Sequence, residues 1–189
     1  MGPRVAALLA AGGGSRFAGP DHKLLADFDG RPVWLHALAH VLDADFDHVV
    51  VVTGAVALDL PAHVIERHNH DWAAGQSGSL QLAVGAAREL GAEAVTIGLA
   101  DQPFVTAAAW RAVAEAPATC RVAIAVYDGV AGPHPVRLDA SVWPLLPADG
   151  DTGARELLRA HPEWVCRIDC VGSGADIDTQ EDLARWTQG

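Results

Sequence analysis

A glycine-rich turn and two cations follow the first apolar segment of the chain. Gly12-Gly13-Gly14-Ser15-Arg16 comes directly after apolar Val5–Ala11, and Lys23 lies a short distance beyond. Glycines allow positive φ and let backbone N–H groups approach an anion closely. Arginine and lysine add the point charges that phosphate groups need. The pattern predicts a triphosphate-binding loop, and a plain glycine turn without a ligand is the alternative. The predicted contacts are Gly12, Gly13, Gly14, Ser15, Arg16 and Lys23.

Two common phosphate-binding loops are excluded by the residues themselves. The P-loop pattern needs Gly-Lys followed by Ser or Thr, and this combination does not occur in the chain. The dinucleotide pattern GxGxxG fails because the segment that starts at Gly12 ends in Phe17. The third glycine of that pattern normally permits close packing of helix on strand.

Three aspartates are candidate ligands of a divalent metal. Asp101 follows apolar 94–100, and a rigidly placed carboxylate at a strand end suits Mg²⁺. A turn or capping aspartate is the alternative there. Asp176 and Asp178 alternate along an extended segment, so both project to one face while Ile177 points inward. Of these two, Asp178 is favoured as the second metal ligand. Thr179 is predicted to cap the helix that follows.

A run of small and hydroxyl residues precedes the predicted helix at 77–90. Gly75, Ser77 and Ser79 stand where backbone N–H groups of a helix start could meet an anion or the edge of a base. Simple capping by Ser77 is the alternative.

Composition and net charge exclude some classes of protein. Half of the 189 residues are hydrophobic, and the formal net charge is −11 with no basic block. Nucleic acid is therefore not an expected partner. No apolar run reaches the ~18 residues that a membrane span needs, and we expect a cytoplasmic protein. The cysteines Cys120, Cys166 and Cys170 are expected to be buried thiols in a reducing compartment.

Apolar runs typical of buried strands alternate with segments of helical spacing. Strands are predicted at 5–11, 49–53, 63–68, 94–100, 121–127 and 164–171, and helices at 32–42, 77–90, 106–115 and 179–186, with short ones near 140–146 and 152–161. Helical connections imply a mostly parallel sheet with helices on both faces. We expect a single doubly wound α/β domain over 1–189, with a turn at 128–132 inside a small antiparallel excursion at 121–138. Ligands of such sheets bind beyond the carboxyl ends of the strands, where the glycine loop and Asp101 both lie.

Five segments, in order, resemble the nucleotidyltransferases of the molybdenum cofactor, the cytidylyltransferase and guanylyltransferase group. They are Leu9-Ala10-Ala11-Gly12-x-x-Ser15-Arg16 with Lys23-Leu24-Leu25, then Gly75–Leu80, Leu99–Pro103, Gly150–Arg155 and Asp176–Asp182. The resemblance implies the fold of nucleotide-diphospho-sugar transferases. It also implies that Lys23 contacts the phosphate under attack, that Asp101 binds the metal, and that Arg155 grips the phosphate of the acceptor. The loop departs from the family pattern, because 17–22 replace the usual Met-Gly.

The implied activity is transfer of CMP from CTP to the phosphate of molybdopterin, with Mg²⁺ as cofactor and pyrophosphate as the second product. A receiving molybdoenzyme or chaperone is the implied partner. Leu-Ala-Ala-Gly and the Ser77–Leu80 segment are more similar to cytidylyltransferases than to guanylyltransferases. The alternatives are a guanylyltransferase that uses GTP, a nicotinamide-dependent oxidoreductase on the same scaffold, and a protein that binds a nucleotide without turnover. The incomplete GxGxxG pattern argues against the oxidoreductase. The presence of Lys23, Asp101 and Asp178 argues against a protein that binds a nucleotide without turnover.

Overall fold

The computed structural model describes residues 2–18, 21–151 and 154–187. Its strands are β1 (Val5–Ala10), β2 (Asp27–Phe28), β3 (Arg31–Pro32), β4 (His48–Thr53), β5 (Ile65–His68), β6 (Ala94–Leu99), β7 (Val122–Tyr127), β8 (Val130–Asp139) and β9 (Val165–Asp169). Its α-helices are α1 (Val33–Leu42), α2 (Gln76–Glu89), α3 (Ala107–Ala114), α4 (Arg155–Ala160) and α5 (Gln180–Thr187). The segment predicted as a short helix near 140–146 is a 3₁₀ helix, Ala140–Leu145.

Seven strands form one sheet in the order β5-β4-β1-β6-β8-β7-β9. The pairs β1–β4, β1–β6, β4–β5 and β7–β9 are parallel, and β8 runs antiparallel between β6 and β7. Strands β2 and β3 form a separate antiparallel pair, which the sequence patterns do not predict. The predicted mostly parallel α/β sheet with an antiparallel excursion is confirmed.

The two faces of the sheet are separated by the alternation of side chains along β1. Ala6, Leu8 and Ala10 pack in one core cluster together with buried residues of α1 and α3. Val5, Ala7 and Leu9 pack in a second cluster with α2, and α4 lies against it. Both faces are covered by helices, as the alternating pattern predicts.

The hairpin between β7 and β8 is tighter than predicted. Asp128 and Gly129 both have positive φ, 50° and 78°, and Tyr127 pairs directly with Val130. A two-residue turn with this backbone matches the twist of antiparallel strands, and Asp-Gly favours it. The predicted turn at 128–132 is therefore too long, because β8 already starts at Val130.

Cys120 and Cys166 form a disulfide, with their Cα atoms 5.7 Å apart. The prediction of buried thiols is wrong for these two residues. They lie 46 residues apart in sequence, and only the parallel pairing of β7 with β9 brings them together. Cys170 is free and half-buried, and burial raises the pKa of its thiol.

We expect alkylation of the denatured, unreduced protein to modify one of its three cysteines, Cys170, and to modify all three after reduction. Intact mass distinguishes these outcomes. Opening a closed loop of 46 residues lowers the free energy of unfolding by about 4 kcal/mol on the chain-entropy model, which denaturant titration with and without reductant measures. Cys170→Ser is the matched control and leaves the effect of reduction unchanged. Three modified thiols without reductant would contradict the disulfide.

Candidate active site

A cavity of about 680 Å³, here the main cavity, opens where β1 and β6 end. Twelve of the residues predicted as site residues line it: Gly12, Gly13, Gly14, Ser15, Arg16, Lys23, Gly75, Ser79, Asp101, Arg155, Asp176 and Asp178. Ser77 does not line the main cavity, because it lies on the core side of α2 and is fully buried. The volume falls within the ~300–1,000 Å³ typical of small-molecule sites.

The glycine loop is shaped by neighbours on both sides. Gly14 has a φ of 60°, and its carbonyl accepts a hydrogen bond from the N–H of Phe17 at 2.9 Å. A Cβ at Gly13 would lie 2.6 Å from the ring of Trp72. Phe17 is buried in the same apolar cluster as Ile177. The loop is thus anchored on the segment that carries Asp176 and Asp178, although 17–22 differ from the family pattern.

His22 is a residue of the site that the sequence analysis missed. Its Nδ1 accepts a hydrogen bond from the N–H of Leu24 at 3.2 Å, so its Nε2 carries the proton and donates to the carbonyl of Gly12 at 2.8 Å. Burial lowers the pKa of His22, which favours this neutral form. His22 therefore ties the start of the glycine loop to the short 3₁₀ helix that begins at Lys23. The sequence feature that could have identified His22 is its position one residue before Lys23.

Lys23 stands between two carboxylates, and we call Arg16, Lys23, Asp101 and Asp178 the lysine cluster. The Lys23 Nζ donates to Oδ2 of Asp101 and, at 2.7 Å, to Oδ1 of Asp178. Arg16 contacts the other oxygen of Asp178 at 2.9 Å. The side chains of Lys23, Asp101 and Asp178 are 12%, 16% and 13% exposed, whereas that of Arg16 is 76% exposed. Residues far apart in sequence thus meet at one end of the sheet.

Backbone contacts hold the two carboxylates of the lysine cluster in place. The N–H of Ile177 donates to the carbonyl of Asp101 at 2.9 Å, and the Ile177 side chain is fully buried. Thr179 and Asp182 cap α5 reciprocally: the Thr179 hydroxyl accepts from the N–H of Asp182, and the Asp182 carboxylate accepts from the N–H of Thr179. The inward position of Ile177 and the capping role of Thr179 are confirmed.

The charges of the cluster depend on one another. Burial alone lowers the pKa of Lys23, but the charges and hydrogen bonds of Asp101 and Asp178 outweigh it and hold that pKa above its ordinary value. Lys23 is therefore an ammonium at neutral pH. Burial raises the pKa of Asp176, and the neighbouring Asp178 and Asp101 raise it further.

The start of α2 differs from the predicted anion site. The N–H of Gln76 donates to the Asp151 carboxylate at 3.3 Å, and the N–H of Ser77 donates to the carbonyl of Gly150 at 3.0 Å. Two of the first N–H groups of α2 are thus already hydrogen-bonded within the protein, and the Asp151 carboxylate lies at the start of this helix. Ser79 faces the main cavity and accepts a hydrogen bond from Asn69 at 2.9 Å.

The profile of the MobA-like NTP transferase domain matches residues 6–164. The chain belongs to this family. It is therefore a nucleotidyltransferase whose substrate is a nucleoside triphosphate. A search of curated proteins finds no match.

Solved structures share the fold of this MobA-like transferase over nearly its whole length. A nucleotidyl transferase of Methanothermobacter thermautotrophicus is 25% identical, with a TM-score of 0.84 over 98% of this chain and 96% of its own. A manganese complex of Rv0371c from Mycobacterium tuberculosis is 24% identical, with a TM-score of 0.78 over 99% of both chains. An inositol-1-phosphate CTP transferase of T. maritima is 15% identical, with a TM-score of 0.75 over 100% of this chain and 97% of its own. The last two likenesses show the fold alone.

The lysine cluster of this MobA-like transferase has the chemistry of a divalent-cation site. Oδ1 of Asp101 is buried and has no hydrogen-bond partner among the described residues. No group of three or more potential metal ligands occurs in 2–18, 21–151 and 154–187. Mg²⁺ commonly uses one or two carboxylates plus the phosphates of its substrate, so Asp101 and Asp178 would suffice when a triphosphate is present. Asp176, which also lines the main cavity, forms no ion pair with Lys23 or Arg16.

No helix in the described part of the chain is long and apolar enough to cross a membrane.

Proposed function

We propose that the protein is a Mg²⁺-dependent cytidylyltransferase that transfers CMP from CTP to the phosphate of molybdopterin and releases pyrophosphate. The observation that carries the proposal is the lysine cluster at the end of the glycine loop. It brings a buried lysine and two carboxylates to one point of a cavity large enough for a nucleotide. A dehydrogenase or a simple binding protein has no need of that arrangement.

The donor half of the site is built from the loop and its cations. Gly12–Ser15 line the main cavity, and in this proposal their backbone N–H groups bind the phosphates of CTP. Lys23 and Arg16 offset the negative charge that grows on the α-phosphate as the new bond forms. Asp101 and Asp178 would hold the Mg²⁺, which when bound neutralises phosphate charge and assists the departure of pyrophosphate.

Lys23 also balances the charge of the site before any substrate binds. It fills the space between two carboxylates that Mg²⁺ would also contact, so the ammonium compensates their charge before the substrate arrives. A Mg²⁺ held by Asp101 and Asp178 would supply this positive charge instead, and Lys23 would then be free to contact the phosphates of CTP.

The acceptor half needs no general base. A phosphate monoester has a second pKa of about 6 and is mostly dianionic near neutrality, so it attacks the α-phosphorus directly and in line. Both ring nitrogens of His22, the histidine next to Lys23, are occupied by hydrogen bonds within the loop. Arg155 lines the main cavity and binds the acceptor phosphate by a charge-assisted contact.

The preference for CTP is supported by sequence. Ala11 stands where the guanylyltransferases usually carry glycine, and the Ser77–Leu80 segment replaces their Gly-Pro-Leu. The segment that contains Trp72 lies beside Gly13 and borders the main cavity near the loop, where the base of the nucleotide lies in our proposal.

Thermal unfolding with CTP, GTP, ATP and NADH, each with and without Mg²⁺, tests the choice of ligand. We expect CTP with Mg²⁺ to stabilise the protein most, by about 2.7 kcal/mol at a hundred times its dissociation constant. CTP without metal should stabilise it less, because Lys23 then stays paired with Asp101 and Asp178 and is not available to the triphosphate. Greater stabilisation by GTP than by CTP would indicate a guanylyltransferase. Stabilisation by NADH alone would contradict the proposal.

A further inference from the structure

A second cavity, here the inner cavity, adjoins the main cavity and has a volume of about 170 Å³. Aliphatic side chains form most of its wall: Leu80, Ile97, Val136, Leu138 and Leu158. Five residues line both cavities and mark the passage between them: Leu9, Gln76, Leu99, Arg155 and Asp176. The glycine loop and Lys23 line only the main cavity. The inner cavity therefore lies beyond the point where the phosphates bind in the proposed reaction.

Two polar residues of the inner wall have no part in the proposed transfer. Gln102 is 2% exposed. Its Nε2 donates to the carbonyl of Gly174 at 2.9 Å, while its Oε1 has no partner among the described residues. The Nδ1 of His134 is likewise buried and lacks a partner in that part of the chain. Buried polar atoms in proteins are nearly always hydrogen-bonded, so two exceptions on one cavity wall indicate a missing ligand.

The residues that line the inner cavity indicate which kind of ligand it can bind. Burial and, to a smaller extent, the nearby Arg155 lower the pKa of His134 to about 4, so the imidazole is neutral at pH 7 and offers one donor and one acceptor. Away from Arg155 and Asp176, the aliphatic part of the wall disfavours a charged group, which would lose its hydration there. A flat ring is favoured instead, since an engineered cavity of about 150 Å³ holds one benzene molecule.

We propose that the inner cavity binds the ring end of the acceptor, a flat, uncharged heterocycle whose edge carries N–H donors and a hydrogen-bond acceptor. Gln102 and His134 recognise that edge, one six-membered ring lies between the aliphatic side chains, and the phosphate of the acceptor remains at Arg155. The identity of this ligand as the acceptor rests on the proposed function. The main cavity alone has the volume for a nucleotide, so the base of the nucleotide does not need the inner cavity.

The test measures binding of 6-hydroxymethylpterin, which has the ring but no phosphate, by the change in its own fluorescence, alongside the affinity for CTP with Mg²⁺. Leu158→Phe fills the inner cavity, and His134→Leu removes a polar group at similar size. Leu157→Phe is the matched control, because Leu157 is half-buried on the same helix but does not line the inner cavity. We expect the first two variants to weaken pterin binding at least tenfold, the control to leave it within twofold, and all three to bind CTP like the wild type.

Other outcomes separate the two proposals. The inference is overturned if the wild type binds no pterin, if Leu158→Phe binds it equally well, or if Leu158→Phe weakens CTP binding instead. The last result would assign the inner cavity to the base of the nucleotide. The variants could show the expected pattern of pterin binding while the enzyme releases no pyrophosphate from a mixture of CTP and a phosphorylated pterin. That result would support the ring site and refute the proposed function. CTP binding and thermal unfolding of each variant show that it is folded.

Discussion

Asp101→Asn lowers the rate of metal-dependent pyrophosphate release by about 10²–10³-fold, the cost of losing one main electrostatic stabiliser of a transition state, and leaves the fold intact. The amide keeps the size of the carboxylate and the position at the end of β6. It removes the charge that holds Lys23 on one side and that would hold Mg²⁺ on the other. The buried Oδ1, which lacks a partner among the described residues, is the atom that the metal would use.

The measurement is the steady-state rate with saturating CTP and acceptor over a range of Mg²⁺ concentrations. Glu93→Gln is the matched control, since Glu93 is exposed and directly precedes the opposite end of the same strand. It should behave as the wild type. Wild-type activity of Asp101→Asn at saturating metal would remove Asp101 from the proposed metal site.

Lys23→Ala has the second large effect, and it acts on turnover more than on binding. The ammonium meets more negative charge in the transition state than in the ground state, so its loss lowers kcat by about 10²–10³-fold while KM for CTP changes little. The same change leaves Asp101 and Asp178 without their shared cation. Unpairing a fully buried ion pair costs about 3–5 kcal/mol, and the cost here is smaller because these side chains are only partly buried. Mg²⁺ alone should therefore raise the melting temperature of Lys23→Ala more than that of the wild type, because no ammonium has to be displaced.

Lys23 is the only lysine among the 189 residues, which allows a second test on the unmutated protein. An amine-selective reagent can modify only Lys23 and the α-amino group, and peptide mass spectrometry separates the two. We expect Lys23 to react slowly in the free protein, where it is 12% exposed, and more slowly still with CTP and Mg²⁺. A rise in KM with unchanged kcat in Lys23→Ala would make Lys23 a uniform binding contact.

The sequence predicts the sheet and the convergence of the site because both follow from local patterns. Short apolar runs separated by helical spacing are enough to predict a mostly parallel sheet, and residues at the carboxyl ends of its strands must meet at one edge. Gly12 and Asp101 both line the main cavity for that reason, whereas Asp178 reaches it on the segment between β9 and α5. Ile177 could be predicted as buried because it alternates with two aspartates on an extended segment. The roles of the site residues in catalysis stay predictions.

The features that the sequence patterns miss depend on pairings between distant segments. The Cys120–Cys166 disulfide requires β9 to lie beside β7, which no periodicity reveals. The ion pairs of Lys23 depend on side-chain packing at the end of the sheet. The N–H of Gln76 at the start of α2 donates to the carboxylate of Asp151, a residue from a distant segment, and no local signal reveals this contact. The predicted ligand contacts of Gly75 and Ser77 stay predictions. His134 and Gln102 draw attention only once their buried atoms are known to lack partners within the described residues.

The most direct test of the central claim is release of pyrophosphate from CTP and Mg²⁺ with molybdopterin, compared with its dephosphorylated form, across pH 5 to 9. We expect release only with the phosphorylated acceptor. We also expect the rate to fall at low pH as the acceptor phosphate, whose second pKa is about 6, takes up a proton. Equal rates with both acceptors would contradict nucleotidyl transfer to a phosphate, and so would a steep loss below pH 7 that the ionisation of the acceptor does not explain.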